Sequence, residues 1–182
     1  MSILDSETEV RIPSRQNHRS RVGGDARWIA RCGNLDGCSA ALENTPDYLE
    51  AAIERGFDVS CEVVYRDGTF WIGSEERRIA APRELLVREE VWCQAKDVRT
   101  LDALYHDPGI HCFFQALDDV SLTSRGFLWT HPRCRVVTRR SIVAVRDFEG
   151  DRIDRVRSGA GVCSDRIAVW RDVIGGALTG VR

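Results

Sequence analysis

From Trp28 onward the chain consists of short apolar runs separated by glycine, proline, asparagine and aspartate. Runs of about four to eight such residues bounded by turn-forming residues are typical of β-strands. Several runs are apolar throughout, as are the central strands of parallel sheets, which are buried on both faces. The predicted strands are Trp28–Arg31, Phe57–Tyr65, Phe70–Gly73, Glu90–Gln94, His111–Leu117, Phe127–Thr130, Ser141–Val145 and Gly161–Cys163.

The clearest helix is predicted over Pro46–Arg55. Thr45 stands at the N-cap, Pro46 at the first helical position and Gly56 just past the end, which is the usual order of start and stop signals. Because this helix separates the first two strands, the segment predicts a βαβ unit. Two more helices are predicted, over Val98–His106 and from Ser164 or Asp165 to Ile174, and a hairpin is predicted at Arg66-Asp67-Gly68.

The alternation of strands and helices predicts one compact α/β domain over residues 27–175 of the 182, with the architecture of a minimal TIM-like (β/α) barrel. A typical barrel of this class needs ~250 residues, so either some helices are reduced to loops or the sheet is open. Residues 1–26 lack apolar periodicity and are predicted to form a flexible arm, and residues 176–182 a C-terminal tail.

The net charge and the lack of long apolar runs argue against nucleic-acid binding and against a membrane span. The formal net charge is −2, whereas a dedicated nucleic-acid-binding domain normally carries a strong basic excess, so no nucleic-acid partner is expected. No apolar run approaches the ~18 residues of a membrane span, and the N-terminus lacks the basic-then-apolar order of a signal peptide. We therefore expect a cytoplasmic protein without a membrane span.

The cysteines and the single lysine stand out in the composition. There are 7 cysteines, an odd number, and their spacing does not match a zinc knuckle, so we expect them to be reduced and mostly buried. Of the 26 basic residues, Lys96 is the only lysine. This bias toward arginine is compatible with a functional role for Lys96 and also with retention of that lysine by chance.

Carboxylates near strand ends are the first candidates for chemistry, because the carboxyl ends of parallel strands form the ligand-binding edge of an α/β fold. Glu43 lies in the loop after the first strand, and Glu62 interrupts an apolar strand. Together with Lys96 they suit a divalent cation and an anionic ligand. An equally weighted interpretation is that Glu62 faces solvent and Glu43 merely starts a helix.

Histidine is the usual acid or base near neutral pH, and only His111 and His131 are placed to reach the mouth of a barrel. For each of them a structural role is the favoured interpretation. The chain contains neither a glycine-rich phosphate loop nor a Gly-x-Ser-x-Gly segment, so the sequence gives no support for a nucleotide-dependent enzyme or an esterase.

Six segments follow one another along the chain, namely Trp28–Asn34, Leu42–Pro46, Gly56–Val63, Asp67-Gly68, Gln94-Ala95-Lys96 and Gly161–Asp165. In that order they resemble the glycerophosphodiester phosphodiesterase family, in the superfamily of phospholipase-C-like phosphodiesterase barrels. The resemblance extends over about residues 27 to 170, and its helix cap, hairpin and lysine fall in register. A further segment, Leu122–Thr130, resembles one found in short members of that superfamily.

The resemblance implies a barrel that hydrolyses phosphodiesters with two histidines and a metal ion, but this chain departs from that pattern. Arg31 and Ser74, the latter followed by Glu75, occupy the two catalytic histidine positions. Of the implied metal ligands Glu43 and Glu62 remain, and Ser60 replaces a carboxylate. At most weak binding of Mg²⁺ or Ca²⁺ is therefore expected.

Losing both histidines should be costly, since each general acid or base contributes ~10²–10⁴ in rate, or roughly 5–11 kcal/mol for the pair. Arg31 stays protonated and cannot transfer a proton, but guanidinium binds phosphate well. We expect a weak or inactive phosphodiesterase-like domain that binds a phosphate-containing small molecule through Arg31 and Lys96. The alternatives are an active enzyme that uses His111 or His131 with Glu75, and a partner-binding domain without a ligand site.

Overall fold

A computed structural model describes residues 26–74 and 76–178, the last three of them by their backbone alone. The predicted N-terminal arm up to residue 25, Glu75 and residues 179–182 lie outside these residues. The strands of the described part are β1 Arg27–Arg31, β2 Asp58–Arg66, β3 Thr69–Gly73, β4 Arg78–Ala80, β5 Val91–Ala95, β6 Cys112–Phe114, β7 Val120–Leu122, β8 Leu128–Thr130, β9 Ser141–Ala144 and β10 Gly161–Ser164. The helices are α1 Pro46–Glu54, α2 Arg83–Leu86, α3 Val98–Tyr105, α4 Ile153–Ser158 and α5 Ile167–Leu178.

One mostly parallel sheet organises the molecule. Its parallel strands follow the order β6-β5-β2-β1-β10-β9-β8. The short strands β3 and β4 extend from β2 as an antiparallel hairpin, and β7 pairs antiparallel with β8. The predicted α/β class and the hairpin at Asp67-Gly68 are therefore confirmed.

The sheet is strongly curled but its ladder does not close. Strands β5 and β8 stand five places apart, which in a flat sheet is about 24 Å at ~4.8 Å per strand. Nevertheless the rings of Trp92 on β5 and Trp129 on β8 have centroids 6.0 Å apart. Between β6 and the β7–β8 hairpin, two hydrogen bonds join Cys112 to Ser124, at 2.8 and 3.0 Å, in place of a strand pairing.

The two faces of the sheet bury different clusters, because successive side chains in a strand point to opposite sides. Apolar residues of the outward face, among them Val59, Cys61 and Val63 of β2, pack with Leu49 and Trp170 of the helices. The inward face holds a smaller cluster of Ile29, Trp92, Phe113, Trp129, Ile142 and Cys163. Burial of the alternate residues on both faces explains why the strands read as continuous apolar runs.

The helix ends follow the local sequence signals in part. Helix α1 begins at Pro46 and Gly56 follows its end with φ 80°, as predicted. Thr45 occupies the N-cap, but its hydroxyl donates to the Leu42 carbonyl at 2.7 Å and does not cap the helix. The last helix begins at Ile167 and continues through Gly175-Gly176 to Leu178, so the predicted helix end at Ile174 is wrong.

Candidate functional site

A polar cavity of about 480 Å³ lies at the carboxyl edge of the parallel strands, where β1 and β2 face the loop before α1 and the end of β3. Four residues singled out from the sequence line this one cavity. They are Arg31, Glu43, Glu62 and Ser74, and they are joined there by Cys32, Asn44, Glu76 and Arg77.

Glu62 is the centre of the charged residues in this cavity. The Lys96 ammonium, just past β5, donates to Oε2 of Glu62 at 2.9 Å. The Arg31 guanidinium, at the end of β1, lies 3.8 Å from Oε1 of the same carboxylate. The strand register accounts for this meeting, because Arg31 pairs with Ser60 and Glu62 pairs with Gln94. The structure therefore brings Arg31 and Lys96, which the sequence linked to anion binding, together with Glu62, which the sequence linked to a metal ion.

Asn44 fixes the backbone of Glu62. Strand β1 has ended at this level, and the Asn44 side chain takes its place by donating to the Glu62 carbonyl and accepting from the Glu62 N–H, both at 2.9 Å. Asn44 is buried and has φ 60°, a left-handed conformation that asparagine tolerates better than most residues. This pair of hydrogen bonds sets the position from which the Glu62 carboxylate reaches Lys96.

A second carboxylate, Asp165, follows β10 at the same edge and is almost fully buried. Its Oδ1 accepts from the Asn34 amide at 2.8 Å, and its Oδ2 accepts from Arg31 at 3.3 Å. The Asn34 amide also donates to Glu43 at 3.0 Å. Arg31 is therefore held between Asp165 and Glu62, with a single hydrogen bond from its five N–H groups to other described residues.

The predicted pair of metal ligands fits a hard cation poorly. The two oxygens of Glu62 face Lys96 and Arg31, and a cation would have to compete with both. Ser60, which stands in a carboxylate position by resemblance, lies 3.6 Å from the Cys163 sulfur and is buried. Mg²⁺ and Ca²⁺ prefer several oxygen ligands around the ion, which Glu43 and Glu62 do not supply by themselves.

A different group has its ligand atoms within 4.8 Å of one another, namely Cys38, Glu43 and Asp165. Burial and then the neighbouring Asp165 carboxylate raise the pKa of the Cys38 thiol, which keeps it protonated near neutral pH. Asp165 already serves Asn34 and Arg31. This arrangement offers a neutral thiol and two carboxylates that already accept hydrogen bonds, since Glu43 accepts from Asn34. It is not a donor set specific to Mg²⁺ or Ca²⁺.

Ser74 follows β3 and is exposed on the far wall of the cavity. Its hydroxyl accepts from the Arg77 N–H at 3.2 Å, and Arg77 in turn donates to the Ala41 carbonyl at 2.9 Å. Arg77 thus adds a second guanidinium to the cavity wall, which sequence reasoning missed. Glu75, which follows Ser74 in the sequence and was predicted with it, lies outside the described residues.

His111 lies away from the cavity, in the aromatic cluster of the inward face. Its ring is 4.1 Å from that of Trp92, and its Nε2 is 2.9 Å from the Thr123 hydroxyl. Burial, followed by the positive charges of Arg125 and Arg27, lowers the pKa of His111 to about 3. The imidazole is neutral at physiological pH and is a poor base, so the structure supports the structural interpretation of His111.

His131 follows β8 and contacts the neighbouring arginine instead of the cavity. Its Nδ1 accepts from both the backbone N–H and the side chain of Arg133, each at 3.2 Å. Burial and then the charge of Arg133 lower the pKa of His131. Among the described residues, no histidine lines the cavity.

Sequence reasoning did not single out Asn34, Asn44 and Asp165, although they organise the site. Asp165 was the easiest of the three to predict from the sequence, because it follows a parallel strand at the edge where Glu62 and Lys96 were expected. The two asparagines lie in the loop between β1 and α1, and their role depends on partners that are remote in sequence.

The chain stands apart from characterised proteins, since no family model, no curated protein and no solved structure matches it. Within residues 26–74 and 76–178, no helix has the length and apolar character to cross a membrane.

Proposed function

We propose that the protein is a degenerate relative of the glycerophosphodiester phosphodiesterases, which binds a phosphate-containing small molecule in the cavity and hydrolyses it very slowly or not at all. In this proposal the curled sheet is an opened form of a minimal TIM-like barrel, with some helices reduced to loops. The carboxyl edge of its strands then serves as the ligand-binding end.

The observation that carries the proposal is the position of Arg31. Its guanidinium lines the cavity, is about a third exposed and donates one hydrogen bond to Asp165, which leaves N–H groups for an anion. Guanidinium groups bind phosphate oxygens in a bidentate manner. Arg77 and Lys96 add positive charge nearby.

The same cavity argues against rapid hydrolysis. A phosphodiesterase needs a group that accepts a proton from the attacking hydroxyl and one that protonates the leaving oxygen, and neither Arg31 nor Ser74 exchanges a proton near neutral pH. Cys32 does not replace them, because burial and the charge of Glu62 raise the pKa of its thiol well above the usual value. Mg²⁺ or Ca²⁺ binding at Glu43 and Glu62 is proposed to be weak at best.

Calorimetric titration with inorganic phosphate and with a glycerophosphodiester tests the binding. We expect salt-sensitive binding that Arg31→Gln weakens by about 10–150-fold, the equivalent of about 1.5–3 kcal/mol for a charged hydrogen bond. Arg31→Lys should bind phosphate more weakly than the natural chain and more tightly than Arg31→Gln, because lysine keeps the charge but lacks the planar fork of donors. Arg99→Gln, on the exposed side of α3, is the matched control.

A hydrolysis assay separates the alternatives. We expect no turnover above background from the natural chain. Turnover at ordinary enzyme rates that His131→Ala abolishes would show an active enzyme with a rebuilt acid and base. If phosphate does not bind and Arg31→Gln changes nothing, the domain binds a partner and the proposal is wrong.

A further inference from the structure

The β7–β8 hairpin carries apolar side chains on a side of the sheet that elsewhere packs under helices. The helices cover β1, β2, β5, β6, β9 and β10, where the main core lies. On β7, Val120 and Leu122 are both exposed, and Ser121 between them is half-buried. Leu117, just before β7, is 89% exposed, and Val136, in the segment after β8, is 69% exposed. Leu117, Val120 and Leu122 lie within six residues of one another, and Val136 belongs to the segment that hydrogen-bonds beside them. Single exposed apolar residues are common, whereas apolar residues grouped in neighbouring segments mark an interaction surface.

The segment after β8 is rich in exposed arginines. The segment 131–140 contains Arg133, Arg135, Arg139 and Arg140 and no acidic residue. All four are exposed. Arg133 lies 3.5 Å from Asp119, whereas the other three form no ion pair with the described residues. Two exposed carboxylates, Asp118 and Asp119, stand between Leu117 and Val120, so four arginines face two acidic groups here. The surface therefore keeps a net positive charge in a protein whose formal net charge is −2.

Hydrogen bonds fix the apolar and basic segments side by side. The His131 N–H donates to the Asp119 carbonyl at 2.7 Å, and Arg133 donates to the Leu117 carbonyl at 3.4 Å. From the other side, Arg152 and Arg155 donate to the Pro132 carbonyl at 2.9 and 3.0 Å. The patch and its arginines thus form one surface with a defined orientation.

We propose that this surface binds anionic phospholipids at a membrane surface, with the aliphatic side chains entering the interface and the arginines contacting lipid phosphates. We call it the lipid-binding surface; it consists of Leu117, Val120, Leu122, Arg133, Arg135, Val136, Arg139 and Arg140. Apolar area and basic charge together are what hold a protein in the plane of an anionic interface.

Charge and polarity favour a lipid over a second copy of the chain and over a nucleic acid. A second copy docked on the same surface would place the arginines against their own counterparts, and like charges oppose such contacts. A nucleic acid would pair with the arginines but would leave Leu117 and Val136 exposed to its phosphates. The surface also includes the segment that follows β8. The carboxyl end of β8 lies at the edge of the sheet that holds the cavity. The proposal does not depend on what the cavity binds.

Sedimentation with vesicles of phosphatidylcholine alone, or with 30% phosphatidylserine (about one lipid in three), tests the proposal on the full chain. We expect binding to the anionic vesicles alone, decreasing as salt increases. Arg135→Gln combined with Arg139→Gln should weaken partitioning by about 30-fold, because each basic side chain near such a surface contributes about 1 kcal/mol. The control pair, Arg78→Gln with Arg99→Gln, removes two exposed arginines elsewhere and should bind as the natural chain does.

A second variant, Leu117→Ser with Val136→Ser, keeps every charge and should also weaken binding, which tests insertion separately from attraction. Equal binding to both vesicle types, or equal loss in the control pair, overturns the proposal. So does a dimer, measured by light scattering, that this serine variant dissociates, since that result assigns the surface to a second copy. Tight binding to an oligonucleotide that is unaffected by the serine variant overturns it as well.

Discussion

Replacing Asn44 tests whether the hydrogen bonds to the Glu62 backbone hold the carboxyl edge together. Asn44→Gly keeps the left-handed conformation but removes both 2.9 Å hydrogen bonds. Glu62 is only partly buried, so water can replace part of the lost hydrogen bonding at its backbone N–H and carbonyl. Each lost hydrogen bond should therefore cost about 1 kcal/mol, the low end of the range for unsatisfied polar groups. We therefore expect Asn44→Gly to lower the free energy of unfolding by about 2 kcal/mol.

Asn44→Ala adds the strain of a left-handed residue with a β-carbon. That strain costs roughly 1–2 kcal/mol, partly offset by the lower entropy of alanine in the unfolded chain, so alanine should be about 0.5–1 kcal/mol less stable than glycine. Urea unfolding followed by tryptophan fluorescence measures both variants against the natural chain. The reasoning is refuted if both variants unfold within 0.5 kcal/mol of it (about the error of such a comparison), or if alanine is the more stable replacement.

Three more predictions concern single groups. The pKa of His111 is about 3, well below its ordinary value, so as the pH falls the unfolded chain takes up this proton before the folded chain does. The free energy of unfolding, measured in urea, should therefore fall by about 2 kcal/mol between pH 8 and pH 5 and fall further at lower pH, and His111→Phe should remove this component. Asp97 caps α3 by accepting from the Thr100 N–H at 2.7 Å, so Asp97→Ala should cost about 1 kcal/mol and Asp97→Asn only a few tenths in thermal unfolding, and equal losses would contradict the cap. Calorimetry with Mg²⁺ or Ca²⁺ should show at best a dissociation constant of about 10⁻³ M, and a submicromolar site lost on Glu62→Ala would show that Glu43 and Glu62 bind a metal well.

The α/β class was predictable because its signals are local. Continuous apolar runs marked the parallel strands, and Pro46 and Gly56 marked the limits of α1. Strands β4 and β7 were missed since each has three residues and one exposed side, which leaves no periodic signal. The end of α5 was misplaced because glycine lowers helix stability by only about 1 kcal/mol per residue, which does not force a helix to stop.

The candidate site was predictable in part for a different reason. Residues at the carboxyl ends of parallel strands share one edge, so Arg31, Glu62 and Lys96 could be expected together. The role of Asn44 could not, because it depends on β1 ending at Arg31 and leaving the next backbone groups of β2 without a strand partner. The structural role that the sequence favoured for His111 agrees with its position, because packing against Trp92 places the imidazole on the inward face of the sheet.

The inward aromatic cluster makes the curvature of the sheet visible to spectroscopy. Trp92 and Trp129 lie 6.0 Å apart, and Phe113 stacks on Trp129 at 4.3 Å, in a pairing between strands from distant places in the ladder. Rings held at such distances and fixed angles couple their electronic transitions and produce near-ultraviolet circular dichroism. If the sheet flattened, this optical signal would disappear while the backbone signal of the strands persisted. The protein thus contains its own reporter of tertiary shape, separate from any reporter of secondary structure.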